Sequence, residues 1–228
     1  MDTPINVWND LHNTDNRVSN FERPWYVFAK KIIEEEALSG RAIDIGCGVG
    51  EFMSELYHLG FSVDGVDGNP NQVKIGEKKG FKTDIADFEK ALPFSDNTYD
   101  IAICLEVVEH IARAEYFLKE INRILTPSGK LLISTPNFNV WQNRFRVLIG
   151  KVPPGEGIHL RFFNSKTFLN LLRKSGFKVI KKKSFGTITG VNFMRRLFKK
   201  PNIYYHIPES IEAIYSSNLV YLCEIIKQ

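Results

Sequence analysis

The sequence predicts an α/β fold: a doubly wound sheet whose parallel strands alternate with helices. Three observations predict it. Short apolar runs that read as strands recur at residues 42–45, 61–67, 81–86, 101–104, 130–135, 177–182 and 218–226. Apolar residues at helical spacing fill stretches between them, and glycine or proline marks many of the junctions. Strands that alternate with helices in this way favour a parallel sheet covered on its faces.

In chain order, residues 1–40 read as an N-terminal helical cap. Val27, Phe28, Ile32 and Ile33 recur at helix spacing before Ser39 and Gly40 end the helix. Trp8, Trp25 and Tyr26 are candidates for closing over a bound ligand or for simple packing. The stretch RAIDIGCGVGEFM, residues 41–53, organises the rest of the chain around it. Ala42, Ile43 and Ile45 form a strand that stops at Gly46, and Phe52, Leu56 and Leu59 start a helix beyond the glycines. Glycines at 46, 48 and 50 let the backbone turn sharply and approach a ligand that any Cβ would meet, beside a helix N-terminus.

The next strand, Phe61-Ser-Val-Asp-Gly-Val-Asp67, ends in a carboxylate 21 positions after Gly46. An acid at the tip of the second strand of a βαβ unit accepts hydrogen bonds from ribose hydroxyls. Pro70 opens a helix to Lys79 at a position where its missing N–H costs least. The third strand ends at Asp87 and Phe88, and Ile101 to Cys104 form the fourth. There follows Leu105-Glu106-Val-Val-Glu109-His110. Read as the start of a helix, it sets Glu106, Glu109 and His110 at i, i+3 and i+4 on one face. Residues 116–125 have helical spacing, 126–129 turn, and 130–135 form a strand. The long aromatic and basic stretch 136–163 has the length of a lid or binding loop, the expected place of substrate selection. Ser165 caps a helix through Leu172, Gly176 ends it, and two further strands close the chain.

The order Asp44-x-Gly46-x-Gly48-x-Gly50 is one residue tighter than the dinucleotide fingerprint G-x-G-x-x-G and carries an acid two places ahead. It resembles motif I of the class I S-adenosylmethionine (SAM) methyltransferases. SAM has no phosphate but bears a sulfonium and an ammonium, so a carboxylate at the loop suits it. The resemblance implies a Rossmann-like seven-stranded sheet, mostly parallel with an antiparallel C-terminal strand and helices on both faces. It implies SAM held by Asp44, Gly46, Cys47, Gly48, Asp67, Gly68, Asn69, Asp87, Phe88 and Leu105, with Asp67 on the ribose and Asp87 and Phe88 at the adenine. It covers residues 40–135 well and 159–226 loosely.

Glu106, Glu109 and His110 are similar to the metal site of two subfamilies, the ubiquinone-pathway catechol O-methyltransferases and the small-RNA 3′-terminal 2′-O-methyltransferases. His159 would take the place of the second histidine of the RNA enzymes. This set suits Mg²⁺ or Mn²⁺. Otherwise His110 or His159 serves as a general base, or alignment alone carries the reaction. The expected activity is O-methylation of a small-molecule, lipid-precursor or sugar hydroxyl. The alternatives are an NAD-linked dehydrogenase and a non-catalytic protein of the same fold that docks nucleic acid or membrane.

With 228 residues, the chain is expected to form a single domain: cap 1–40, SAM-binding core 41–135 and substrate-facing half 136–228. Its 43% hydrophobic and 25% charged residues are ordinary for a soluble protein. No transmembrane segment or signal peptide is recognisable, so a cytoplasmic location is expected. Cysteines 47, 104 and 223 lack metal-like spacing, and an odd number argues against a disulfide framework. Cys104 and Cys223 read as core residues, and Cys47 as a loop filler. Residues 140–200 hold nine Lys and six Arg against one acid, Glu156. That surplus fits a solvated face, an anionic partner or peripheral membrane contact through residues 190–200.

Overall fold

The computed structural model describes residues 23–152, 159–186, 192, 195, 197–198 and 203–226. Most of the stretch 190–200, and Trp8, lie outside them. The first described helix, α1 (Pro24–Glu35), opens on a proline. Then come β1 (Arg41–Ile45), α2 (Glu51–His58), β2 (Ser62–Asp67), α3 (Pro70–Lys78), β3 (Lys82–Ile85) and β4 (Tyr99–Leu105). A single 3-10 turn, Val108–His110, precedes α4 (Ala114–Ile124), β5 (Leu125–Pro136), α5 (Trp141–Leu148), α6 (Ser165–Lys174) and β6 (Phe177–Lys182). The described chain ends with β7 (Phe185–Gly186), β8 (Tyr205–His206), α7 (Glu212–Tyr215) and β9 (Asn218–Ile225).

The sheet order is β3-β2-β1-β4-β5-β9-β7-β8, with β6 also paired to β9. β1 to β5 are parallel, and β9 is antiparallel to both β5 and β6. The mixed sheet with an antiparallel finish is as expected. Among the described residues its strand count is nine rather than seven. The two extra strands are two-residue pieces: Phe185 pairs with His206 and with Asn218. Two residues are too short to show any periodicity, so they leave no trace in the sequence pattern. Asn164, rather than Ser165, caps α6, accepting from the Thr167 N–H at 3.0 Å.

Alternation along the strands divides the core between the two faces. On one, Ile43, Ile45, Ala102, Cys104, Leu131 and Ile133 pack with Phe117, Leu118 and Ile121 of α4 and Phe168 and Leu172 of α6. On the other, Ile101, Ile103 and Leu132 meet Phe28 and Ile32 of α1 and Phe52 and Leu56 of α2. Lys181 and Lys183 reach Glu35 at 2.8 and 2.7 Å, tying β6 and the residue after it to the end of α1. The turn between β1 and α2 sits at the C-terminal ends of the strands. There the chain order reverses between β1 and β4, which opens a crevice in a doubly wound sheet.

Phe117 is fully buried, its ring centroid 5.4 Å from that of Phe88. Phe117→Ala is expected to cost about 3–5 kcal/mol of unfolding free energy in urea titrations. A loss under about 1 kcal/mol would contradict the packing described.

Candidate active site

The glycine turn is pinned to β2 by one carbonyl. Val66 O accepts from the N–H groups of Gly46 and Cys47, at 2.8 and 3.1 Å. Gly46 has φ +77°, and a Cβ there would collide with Val107 Cγ2. Only glycine lets this turn close against the segment after β4. The Asp67 carboxylate holds the turn from the other side. Its Oδ2 accepts from the Gly48 N–H at 2.9 Å and its Oδ1 from the Asn69 N–H at 2.7 Å. Asn69 in turn caps α3 through the Asn71 N–H, and Gly68 joins the two.

Asp44 is only 4% exposed, and among the described residues no donor meets its carboxylate. Burial, and then the charge of Asp67, push its pKa up to about 7. Tyr26 is brought in by α1 with its ring 4.8 Å from Phe52. Burial, with the charges of Asp44 and Glu51 added, holds its hydroxyl above its usual range although Arg23 opposes the shift. Trp25 packs edge-on against Tyr26. Cys47 is buried, its thiol donates to the Gly48 carbonyl, and burial pushes its pKa up, which leaves it unreactive. Asp87 accepts from the Glu89 N–H at 3.0 Å and pairs with Lys90, while Phe88 lies on Phe117. Leu105 ends β4 one residue beyond Cys104, the register partner of Ile45.

The helix expected at 105–110 is absent. β4 runs through Leu105, Glu106 adopts φ +59°, and only the 3-10 turn follows. Glu106 therefore does not share a helix face with Glu109 and His110. Its carboxylate instead accepts from the Ser134 hydroxyl at 2.6 Å and the Asn218 amide at 2.8 Å. Glu109 is buried and accepts from the Thr135 hydroxyl at 3.2 Å. Burial raises the pKa of both carboxyls, and the nearby Glu106 raises that of Glu109 further.

The stretch 159–163 is latched onto this turn. The Glu109 carbonyl accepts from the Leu160 and Arg161 N–H groups, both at 3.0 Å, and the Arg161 guanidinium donates to the carbonyls of Ile111 and Ala112. The latch brings His159 to His110, with ring centroids 5.0 Å apart. His110 Nε2 lies 3.9 Å from Glu109 Oε1. One ligand atom each from Glu109, His110 and His159 fall within 4.8 Å of one another. Burial lowers the pKa of His159, keeping its imidazole neutral near pH 7. Beside them Phe138, Asn143, Phe162 and Phe163 line a cleft.

Sequence reasoning missed Ser134, Thr135, Asn218 and Arg161. Asn218 is 112 positions from the Glu106 it meets, beyond the reach of any local pattern. Arg161 stands two places after His159, a signal that was present.

Asp44 has a folded-state pKa above the ordinary carboxyl value of about 3.9. The fold then holds a proton that the unfolded chain releases, so this contribution favours the fold at low pH and is lost as pH rises from about 4 to about 7. Asp44→Asn is expected to gain on the wild type by at least about 1 kcal/mol between urea titrations at about pH 5 and about pH 8. A pH-independent difference would contradict the raised value.

A methyltransferase domain model matches residues 22–182. The chain is 26% identical over 198 residues to the mitochondrial ubiquinone biosynthesis O-methyltransferase of Mus musculus, covering 80% of this chain and 50% of that protein. It is 34% identical over 98 residues to a sterol 4-C-methyltransferase of Caenorhabditis elegans, covering 40% and 29%. The chain thus spans half the length, or less, of these two curated relatives. A SAM-dependent methyltransferase structure from Thermotoga maritima, described as a possible histamine N-methyltransferase, superposes with a TM-score of 0.71 at 20% identity, covering 97% of this chain and 99% of that one. That likeness is one of fold. With a family match over most of its length and a glycine turn flanked by two buried carboxylates, the chain belongs to the methyltransferase domain family.

Proposed function

We propose that the protein transfers the methyl group of SAM to a hydroxyl oxygen of a small molecule, a lipid precursor or a sugar. In this reading the chain acts as one domain, with residues 1–40 as a cap, 41–135 around SAM and 136–228 facing the acceptor. Asp44 meets the SAM ammonium. Asp67 takes the ribose hydroxyls, followed by Gly68 and Asn69. Gly46, Cys47 and Gly48 pass under the methionine portion, Asp87 and Phe88 flank the adenine, and Leu105 walls the pocket. The family match to methyltransferases speaks against a nicotinamide dinucleotide in this place.

The observation that carries the choice of acceptor is the His110–His159 pair beside Glu109. A neutral imidazole within reach of an acceptor hydroxyl takes its proton as the oxygen attacks the sulfonium methyl. The new O–C bond forms as the S–C bond breaks, and the neutral thioether S-adenosylhomocysteine leaves. The mouse relative's name supports oxygen as acceptor, whereas the sterol relative's name points to carbon. The histidine pair supports the oxygen reading, because a hydroxyl acceptor has a proton for such a base to remove as it attacks. Glu109, His110 and His159 also present a carboxylate oxygen and two imidazole nitrogens close enough to fit Mg²⁺ or Mn²⁺, with Glu106 outside the set. Such an ion would lower the pKa of a bound hydroxyl.

Two measurements test this. Asp67→Ala is expected to weaken SAM binding at least ~tenfold in calorimetry, and unchanged affinity removes Asp67 from the site. Transfer of labelled methyl from SAM to a panel of catechols, phenols and sugars is expected for the wild type. His159→Ala is expected to slow it about 100-fold while SAM affinity stays intact. Binding of SAM with no transfer to any hydroxyl would instead favour a non-catalytic role.

A further inference from the structure

We propose that α5 and the residues immediately after it form a docking surface for an anionic lipid bilayer. The helix buries none of its residues against the protein. Phe145, Leu148, Ile149 and Val152 stand 54%, 81%, 49% and 57% exposed. Trp141, Phe145 and Leu148 fall at i, i+4 and i+7, which makes one apolar stripe along the helix. Arg144 borders this stripe on one side, while Arg146 and the 53% exposed Val147 lie toward the far face of the helix. Asn143 points the other way, donating to the Phe138 carbonyl at 3.1 Å and lining the cleft beside His159.

A soluble surface does not ordinarily present so many large apolar side chains on eight residues and the short run after them. Charge decides what covers them. Residues 137–152 carry Arg144, Arg146 and Lys151 and no acid. Arg144 donates to the Asn139 carbonyl and Arg146 to the Val152 carbonyl, contacts that fix their direction and leave their charge intact. An exposed apolar stripe on a short helix whose charged residues are all cationic is the pattern of a helix lying in the interface of a bilayer, with the stripe among the acyl chains and the cations at anionic headgroups. An uncharged apolar partner would meet the stripe without requiring the cations. This surface also stands at the rim of the cleft, where an acceptor dissolved in lipid would enter. The docking itself does not depend on which acceptor the enzyme uses.

The test is sedimentation of the protein with vesicles of phosphatidylcholine alone and with ~30% phosphatidylglycerol added. The wild type is expected to sediment with the anionic vesicles and to leave them at high salt. Phe145→Ser/Leu148→Ser and Arg144→Glu/Arg146→Glu are each expected to lower the partition coefficient at least ~tenfold. The shift in melting temperature caused by S-adenosylhomocysteine should survive in both, which separates lost docking from lost folding or cofactor binding. A second readout leaves α5 unaltered. In a Trp8→Phe/Trp25→Phe chain, brominated anionic lipid should quench Trp141 fluorescence. Absence of wild-type binding, equal binding to neutral vesicles, undiminished binding by the variants, or an unquenched Trp141 would each overturn the proposal. So would concentration-dependent dimers that Leu148→Ser abolishes, since a second copy of the chain would then cover the face.

Discussion

The site depends on one carboxylate that is committed to backbone. Asp67 ends β2 and accepts from the N–H groups of Gly48 and Asn69, so it ties the glycine turn after β1 to the start of α3. Charge-assisted bonds of this kind are stronger than neutral ones and are worth more where water is excluded. Because the turn is held at fixed height above the strands, Asp44 is left buried beside a second negative charge with no described donor to meet it. The fold meets the cost of that arrangement by raising the Asp44 pKa. A ligand that brings a cation relieves it. A pyrophosphate placed there would instead add to the repulsion.

The second half of the site is placed by contacts remote in sequence. Gly46 brings the turn against Val107, and the Glu109 carbonyl binds the stretch that carries His159. Arg161 adds its guanidinium to the same turn. The acid and two imidazoles are thus gathered by backbone geometry and one latch. Ser134 and Asn218 hold Glu106 from β5 and β9, so the antiparallel finish of the sheet also steadies the loop at the end of β4.

Much of this was legible in the order of residues, for a physical reason. A strand, a glycine turn and a helix, followed by a strand ending in an acid, are local patterns whose geometry is set within about ten residues, and β1 to β4 follow them closely. The convergence of His110 with His159 was readable only as a resemblance, since its geometry depends on a latch between segments far apart in the chain. The helical reading of 105–110 failed because spacing alone does not reveal that Glu106 is pulled into the left-handed region, with its side chain bonded to Ser134 and Asn218. The two-residue strands β7 and β8 have no period to detect. The helix α5 lay within the stretch 136–163 read as a lid or binding loop, because aromatic and basic residues mark that stretch more plainly than the two turns of helical spacing at Trp141, Phe145 and Leu148.

The central claim is that a buried, protonatable Asp44 receives the ammonium of SAM. Calorimetric titration of SAM at about pH 6.5 in two buffers of different ionisation enthalpy tests it most directly, because a cation that settles beside Asp44 must expel its proton. Release of more than about half a proton per SAM bound is expected, together with loss of that release in Asp44→Asn. Binding with a buffer-independent heat in the wild type would contradict it.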